Sequence, residues 1–289
     1  MNNTTVIIPY RNNILALKRA LDSVANQTRS VSVIIIDDCS QQEQLAENVI
    51  CDYPSMDLTV ITMVENVGGG VARNIGIENT KTKFIAFLDC DDYWKENKIE
   101  EQERLFFDIN DNKSIIYCDI EVVTMTGSNL KKYNSQNKVE DFSKYVFFDG
   151  GLIQTSSIFL LTETARNCLF NPELKRHQDY DFCLKLQKEK NYFVGCNKTC
   201  SYWVVDDSPF AAIKKGYKIE DSIKFYQEYE SMMSSIGGYA FLAKVPFWFS
   251  FKTKCTTRFL YLLIKSLGFR KVVMMLGTLF LLTLKFGKK

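Results

Sequence analysis

Over the first 88 residues, short β-branched runs alternate with segments whose apolar residues recur every three or four positions. Thr5 to Pro9, Val31 to Asp37, Leu58 to Val64 and Lys83 to Leu88 read as strands. Between the first two, Ile14, Leu17, Leu21 and Val24 share one helical face, and Leu45 to Cys51 and Val71 to Glu78 predict shorter helices. This βαβαβαβ order predicts parallel strands joined by right-handed crossovers, with the strand C-terminal ends gathered on the edge where α/β sheets bind ligands. Pro9-Tyr10-Arg11-Asn12, Asp37-Asp38, Glu65-Asn66 and Asp89 to Asp92 all fall at such ends. Farther on, Ser114 to Val123 and Ser156 to Leu161 read as strands around a polar stretch, Thr126 to Lys144. A helix then begins near Gln178, and a β-rich run covers Tyr192 to Val205.

Composition changes this picture at the C-terminal end. The 289 residues are 46% hydrophobic, enough for a full core, and carry a net charge of +2. From Ser231 to Lys289 there are ten Lys or Arg and no Asp or Glu, which leaves residues 1–230 at −8. A basic, Phe- and Leu-rich segment behind an acidic body favours an anionic membrane surface over nucleic acid. Its longest uncharged apolar run, Val272 to Leu284, has 13 residues, whereas crossing a bilayer takes about 20. The expectation is therefore helices lying in the interface, with completion of the soluble core as the alternative. Nine cysteines without a C-x-x-C pair, and a start lacking a basic, apolar leader, suggest reduced thiols in a cytoplasm. A lone histidine, His177, excludes a His-rich zinc site and disfavours a Ser-His-Asp hydrolase.

The stretch FIAFLDCDDYW ends a buried strand in Asp89, Asp91 and Asp92. Such close like charges repel and resist desolvation, so a cation is expected among them. The alternative for one of the three is a helix cap, Asp91 or Asp92 standing before a helix over Lys95 to Phe107. A calcium loop does not fit, because Tyr93 and Trp94 stand where a ligand and the turn glycine belong. The glycine run Gly68 to Gly70 follows the wrong strand for a dinucleotide fingerprint.

Five motifs in order, VIIPYRN, IIIDDCS, ENVGGGVARNIGI, FLDCDD and HQDYDFCLKL, resemble the inverting family 2 glycosyltransferases of the GT-A fold over residues 4–205. The resemblance implies an α/β GT-A (Rossmann-like) domain over 1–215, with a nucleotide-sugar half, 1–110, and an acceptor half, 111–215. A basic, helical, membrane-associating segment, 216–289, would follow. It implies a UDP-sugar donor and a divalent metal, Mn2+ or Mg2+, held by Asp91, with Asp89 at the ribose or metal shell and Asp92 assisting either. Asp38 would accept the uracil N–H; Pro9 would shape the first turn and Tyr10 pack on the base. Arg11 would approach the diphosphate, and Asn66 and Arg73 would help hold the nucleotide. Asp179 would be the general base, although Gln178 stands where the family usually has Glu. Gln154 and Thr155 fall where the family lines the acceptor pocket, Gln178 is assigned to the same pocket, and His177 reads as an acceptor-site or packing residue. Residues 201–216 would close over the diphosphate, with Lys214 or Lys215 supplying the charge.

The activity so implied is inverting transfer from a UDP-sugar to a hydroxyl of a lipid-linked saccharide. The β-linkage would be made in O-antigen, capsule or exopolysaccharide synthesis, on the cytoplasmic face of the plasma membrane. A nucleotidyltransferase would need a Gly-rich loop after the first strand, which is missing. A silent nucleotide-sugar-binding scaffold is disfavoured by the presence of Asp91 and Asp179.

Overall fold

The computed structural model describes residues 2–206 and 218–286. Lys214 and Lys215, expected in a closing loop, lie outside the described residues, as do Lys288 and Lys289. The first half runs β1 (Thr4–Tyr10), α1 (Ile14–Ala25), β2 (Ser32–Asp37), α2 (Glu47–Ile50), β3 (Asp57–Thr62), α3 (Gly69–Asn79) and β4 (Phe84–Phe87). It continues with β5 (Tyr93–Trp94), α4 (Lys98–Ile109), β6 (Ser114–Thr124), β7 (Asn129–Tyr133), β8 (Ile158–Leu161), α5 (Thr162–Arg166), α6 (Gln178–Lys188) and β9 (Tyr192–Val205). The C-terminal segment is helical: α7 (Ile219–Tyr229), α8 (Ser235–Leu242), α9 (Trp248–Lys252), α10 (Thr256–Leu267) and α11 (Phe269–Phe286).

One mixed sheet runs in the order β3-β2-β1-β4-β8-β6-β9-β5, with β7 paired to β6. The strands β3, β2, β1 and β4 are parallel, as the alternation predicts, and β8 enters antiparallel to both β4 and β6. Helices cover both faces of the parallel part, so β1 and β2 read as nearly unbroken apolar runs. The side chain of Asn13 caps α1 by accepting from the Ala16 N–H at 3.2 Å, while Leu17, Leu21 and Val24 are buried on the sheet. On the other face α3 lies so close to β1 that a Cβ on Gly76 would sit 2.4 Å from the Ile7 side chain. That approach fixes where the first turn of α3 meets the strand ends.

The C-terminal helices pack one face on this body. Phe225, Phe241, Leu242, Phe259, Val272 and Met275 are buried in the same core cluster as Phe147, Phe182 and Phe193. Three of the basic residues find acidic partners: Arg258 with Glu220 at 2.7 Å, Lys285 with Asp149 at 2.8 Å, and Lys271 with Glu230. No described helix is long and apolar enough to cross a membrane.

Candidate active site

An open cleft of about 300 Å³ lies at the C-terminal ends of β1, β2 and β4, where the chain reverses direction across the sheet. Pro9, Tyr10, Arg11, Asp38, Arg73, Asp89 and Asp91 line it, together with Gly69 and Cys90. Residues predicted from four separate motifs are thus brought to one wall.

Their local bonding separates surfaces from supports. Asp37 points inward and accepts from the backbone of Ser40 and Ala46, which fixes the turn after β2. Asp38 accepts from the amide of Asn66 at 2.5 Å and from the backbone N–H groups of Val67 and Gly68 at 2.6 and 2.9 Å. It therefore ties the loop before α3 to the end of β2. Asn66 does not line the cleft and meets it only through Asp38. The Tyr10 hydroxyl donates to the Gln44 carbonyl at 2.6 Å and accepts from the Asn13 N–H. Burial pushes its phenol up to about 12, so it stays un-ionised. Arg11 is exposed on the rim.

Arg73 projects from α3 into the cleft wall, where it pairs with Asp89, donates to Gln178 Oε1 at 3.1 Å and lies over the Phe170 ring. Burial works against its charge, but Asp89 and then Asp179 outweigh it and hold its pKa above the usual value. Gln178 and Asp179 open α6. A Cβ on Gly70 would lie 3.2 Å from the Gln178 amide, so the glycine lets α6 begin directly over the first turn of α3. Asp179 is half-buried, with the Thr155 N–H 3.5 Å from Oδ2. Burial and the neighbouring Asp89 raise its carboxyl above the ordinary range, opposed by Arg73 and Thr155. Asp181 is different: it is fully buried, and Tyr229, Lys185 and the Asn171 N–H occupy both of its oxygens. Of the two acids on this helix, only Asp179 is left for chemistry.

Three predicted placements are corrected. Asp92 faces the interior, not the cleft, accepting from Gln154 at 2.5 Å, Ser156 at 2.6 Å and the Val204 N–H at 3.0 Å. Burial, reinforced by Asp91 and Asp89, raises its pKa well above the usual value. Gln154, assigned to the acceptor pocket, is the buried partner in that bond, and Gln178 serves Arg73. Of the two readings of His177, the structure takes packing: its ring stacks on Tyr180, meets Phe225 and Phe241, and its Nε2 lies 2.8 Å from the Ser222 hydroxyl on α7. Burial lowers its pKa to about 4. The unfolded imidazole takes a proton near pH 6.5 and the folded one only near 4, so stability falls as pH drops through that window. The expected loss is about 3 kcal/mol. His177→Asn, which tolerates the positive φ of 61°, should flatten that acid slope in urea unfolding between pH 6.5 and 4.

Arg19 is a contributor that the motifs did not mark. Its guanidinium donates to the Asp91 carbonyl and covers Tyr93, which stacks on Tyr202 at 4.5 Å. It holds the acidic turn from the α1 side, and only its helical phase, two residues beyond Leu17, could have flagged it.

Among the described residues, no group of three or more His, Cys, Asp or Glu is arranged to hold a metal by itself. The chemistry on the rim suits a shared ion: Asp91, exposed, with Asp89 beside it. Small divalent cations commonly take one or two carboxylates and complete their shell with substrate phosphates and water.

The family model described as Glycosyl transferase family 2 matches residues 5–163. Amylovoran biosynthesis glycosyltransferase AmsB of Erwinia amylovora is 32% identical over 192 residues, 64% of this chain and 64% of its own length. TuaG of Bacillus subtilis, a glycosyltransferase named for teichuronic acid biosynthesis, is 30% identical over 132 residues, 45% of this chain and 51% of its own. The crystal structure of S. aureus TarS 1-349 superposes with a TM-score of 0.60 at 18% identity, covering 92% of this chain and 72% of that one. The same TarS fragment has been solved in complex with UDP and with UDP-GlcNAc.

Proposed function

The chain belongs to glycosyl transferase family 2, and from that premise we propose that it transfers a sugar from a UDP-sugar, with inversion, to a hydroxyl of a lipid-linked saccharide. The observation that carries the reading is the charge arrangement of one cleft. Carboxylates at the end of β4 line its wall, Arg73 sits behind them, and a carboxylate with a raised pKa, Asp179, starts the helix that Arg73 touches through Gln178. The relatives named for amylovoran and teichuronic acid synthesis favour surface polysaccharide as the product, and the UDP complexes of TarS favour a UDP-sugar donor. A lipid-linked acceptor would keep the enzyme peripherally on the inner face of the plasma membrane.

In this reading the diphosphate lies along Asp89 and Asp91, and the base lies toward Asp38 and Tyr10. A divalent cation held by Asp91, and reached by Asp89, would act as a Lewis acid on the departing diphosphate. The protein's own work is positional. Arg73 fixes Asp89 and offsets the repulsion between Asp89 and Asp179. Asp179 takes the proton of the acceptor hydroxyl as the hydroxyl oxygen bonds to the anomeric carbon. The bond from that carbon to the diphosphate oxygen breaks on the opposite side, which inverts the centre. Thr155, through its N–H, keeps the Asp179 carboxylate aimed.

The test is incubation of the full chain and manganese with a panel of labelled UDP-sugars and a lipid-diphosphate-sugar extract. One labelled lipid product from one UDP-sugar is expected. Label released only as free sugar, or transfer from a different nucleotide alone, would overturn the assignment.

A further inference from the structure

Helix α11 is apolar on two sides. Val272, Met275 and Leu282 are buried against the body. Phe269, Val273, Leu276, Phe280 and Leu284 follow one another at steps of four or three, so they form a second stripe, and each is between 43 and 69% exposed. The neighbouring α10 repeats the pattern, with Phe259 and Leu263 buried but Tyr261 and Ile264 at 63 and 43% exposure. A helix on a water-facing surface carries polar residues on its outer side, and a contiguous apolar patch there marks a contact.

The charges around this face select the partner. Arg258 and Lys271 are paired to Glu220 and Glu230 at the start of the same helical segment, and Lys285 to Asp149 of the body. Lys252, Lys254, Lys265 and Arg270 are exposed and make no ion pair among the described residues. With no acidic residue from Ser231 onward, a symmetric contact between two copies would press this basic rim against itself. A spanning arrangement is also disfavoured, because the inner stripe of α11 is committed to the core and no described helix is suited to cross.

We propose that the outer face of α10 and α11 docks on an anionic lipid bilayer, both helices lying in its plane. The stripe from Phe269 to Leu284 enters the acyl boundary, and the four unpaired cations meet the headgroup phosphates. The same helical segment grips the catalytic side of the body: Ser222 on α7 bonds His177, and Tyr229 donates to Asp181 on the helix that starts with Asp179. A docked segment thus holds the base helix at a set distance from the lipid. Only this last consequence rests on the transferase reading; the docking stands on the surface alone.

The experiment is co-sedimentation of the full chain with vesicles of phosphatidylcholine, with and without phosphatidylglycerol, alongside analytical ultracentrifugation without lipid. Binding is expected only with phosphatidylglycerol and should weaken as salt rises from ~0.1 to ~0.5 M. Replacing Lys252, Lys254, Lys265 and Arg270 with Gln should cost about fivefold per charge. Leu276→Gln with Phe280→Gln should lower binding by at least about tenfold, with the thermal midpoint unchanged because both side chains point away from the core. Equal binding to both vesicle types, or none, would overturn the proposal. So would a dimer of the full chain that the Leu276 and Phe280 changes convert to monomer. Transfer to a lipid-linked acceptor presented in neutral detergent micelles, where docking on an anionic bilayer plays no part, separates the two readings: its absence with vesicle docking intact removes the enzyme assignment alone.

Discussion

Asp179→Asn is expected to lower sugar transfer by about a hundredfold or more while leaving donor affinity nearly unchanged, as loss of a general base should. The substitution keeps the shape of the side chain and its contact with the Thr155 N–H, so the opening turn of α6 should stand. What disappears is the ability to take the acceptor proton. The pH dependence supplies a second signature. Burial and Asp89 lift the Asp179 carboxyl above the ordinary carboxylate range, and a base works only when deprotonated. Activity should therefore rise with pH through a limb placed above the usual carboxylate pKa. Arg73 stabilises the ionised form, so Arg73→Gln should move that limb still higher, and Asp179→Asn should abolish it. Steady-state kinetics across pH, with isothermal titration of UDP as the binding control, decides the matter. Near-normal turnover in Asp179→Asn would remove the residue from the chemistry, and Asp181 could not take over, since Tyr229, Lys185 and the Asn171 N–H already fill it.

The sheet edge was legible because period and connectivity alone place the ends of β1, β2 and β4 together. Orientation within each acidic cluster was not. Asp91 and Asp92 are neighbours, yet the turn that returns the Asp92 N–H to the Asp89 carbonyl sends one carboxylate to the rim and the other inside. The inward one is chosen by Gln154 and Ser156, 62 and 64 residues away along the chain. The same distance problem left His177 open between acceptor site and packing. Its neighbours in sequence belong to the HQDYDFCLKL motif, but its ring is surrounded by Phe225 and Phe241 and bonded to Ser222, all from the C-terminal helices. Those helices read from sequence as an interfacial basic segment, with core packing as the alternative, because periodicity reports an apolar face without saying what covers it. Here one face meets the body and the other does not.

The two adjacent carboxylates of the acidic turn, Asp91 and Asp92, should therefore respond in opposite ways to mutation. Asp91→Ala is expected to erase the gain in UDP affinity that manganese brings, a loss of about a hundredfold or more if the cation supplies several kcal/mol, with little change in unfolding. Asp91 is exposed, so truncating it opens no cavity in the core. Asp92→Ala should keep the response to manganese but cost about 3 kcal/mol of stability. It strands the Gln154 amide, the Ser156 hydroxyl and the Val204 N–H in a dry interior. Asp92→Asn should recover most of that loss: Gln154 Oε1 has no partner in the described structure, and turning the Gln154 amide over presents this oxygen to the side-chain N–H that the substitution introduces. Calorimetric titration of UDP with and without manganese, paired with urea unfolding, reads both axes. If Asp92→Ala abolished the manganese effect and Asp91→Ala preserved it, the cation would sit on the inner side of the turn, and Asp91 would be no more than a solvated carboxylate at a strand end.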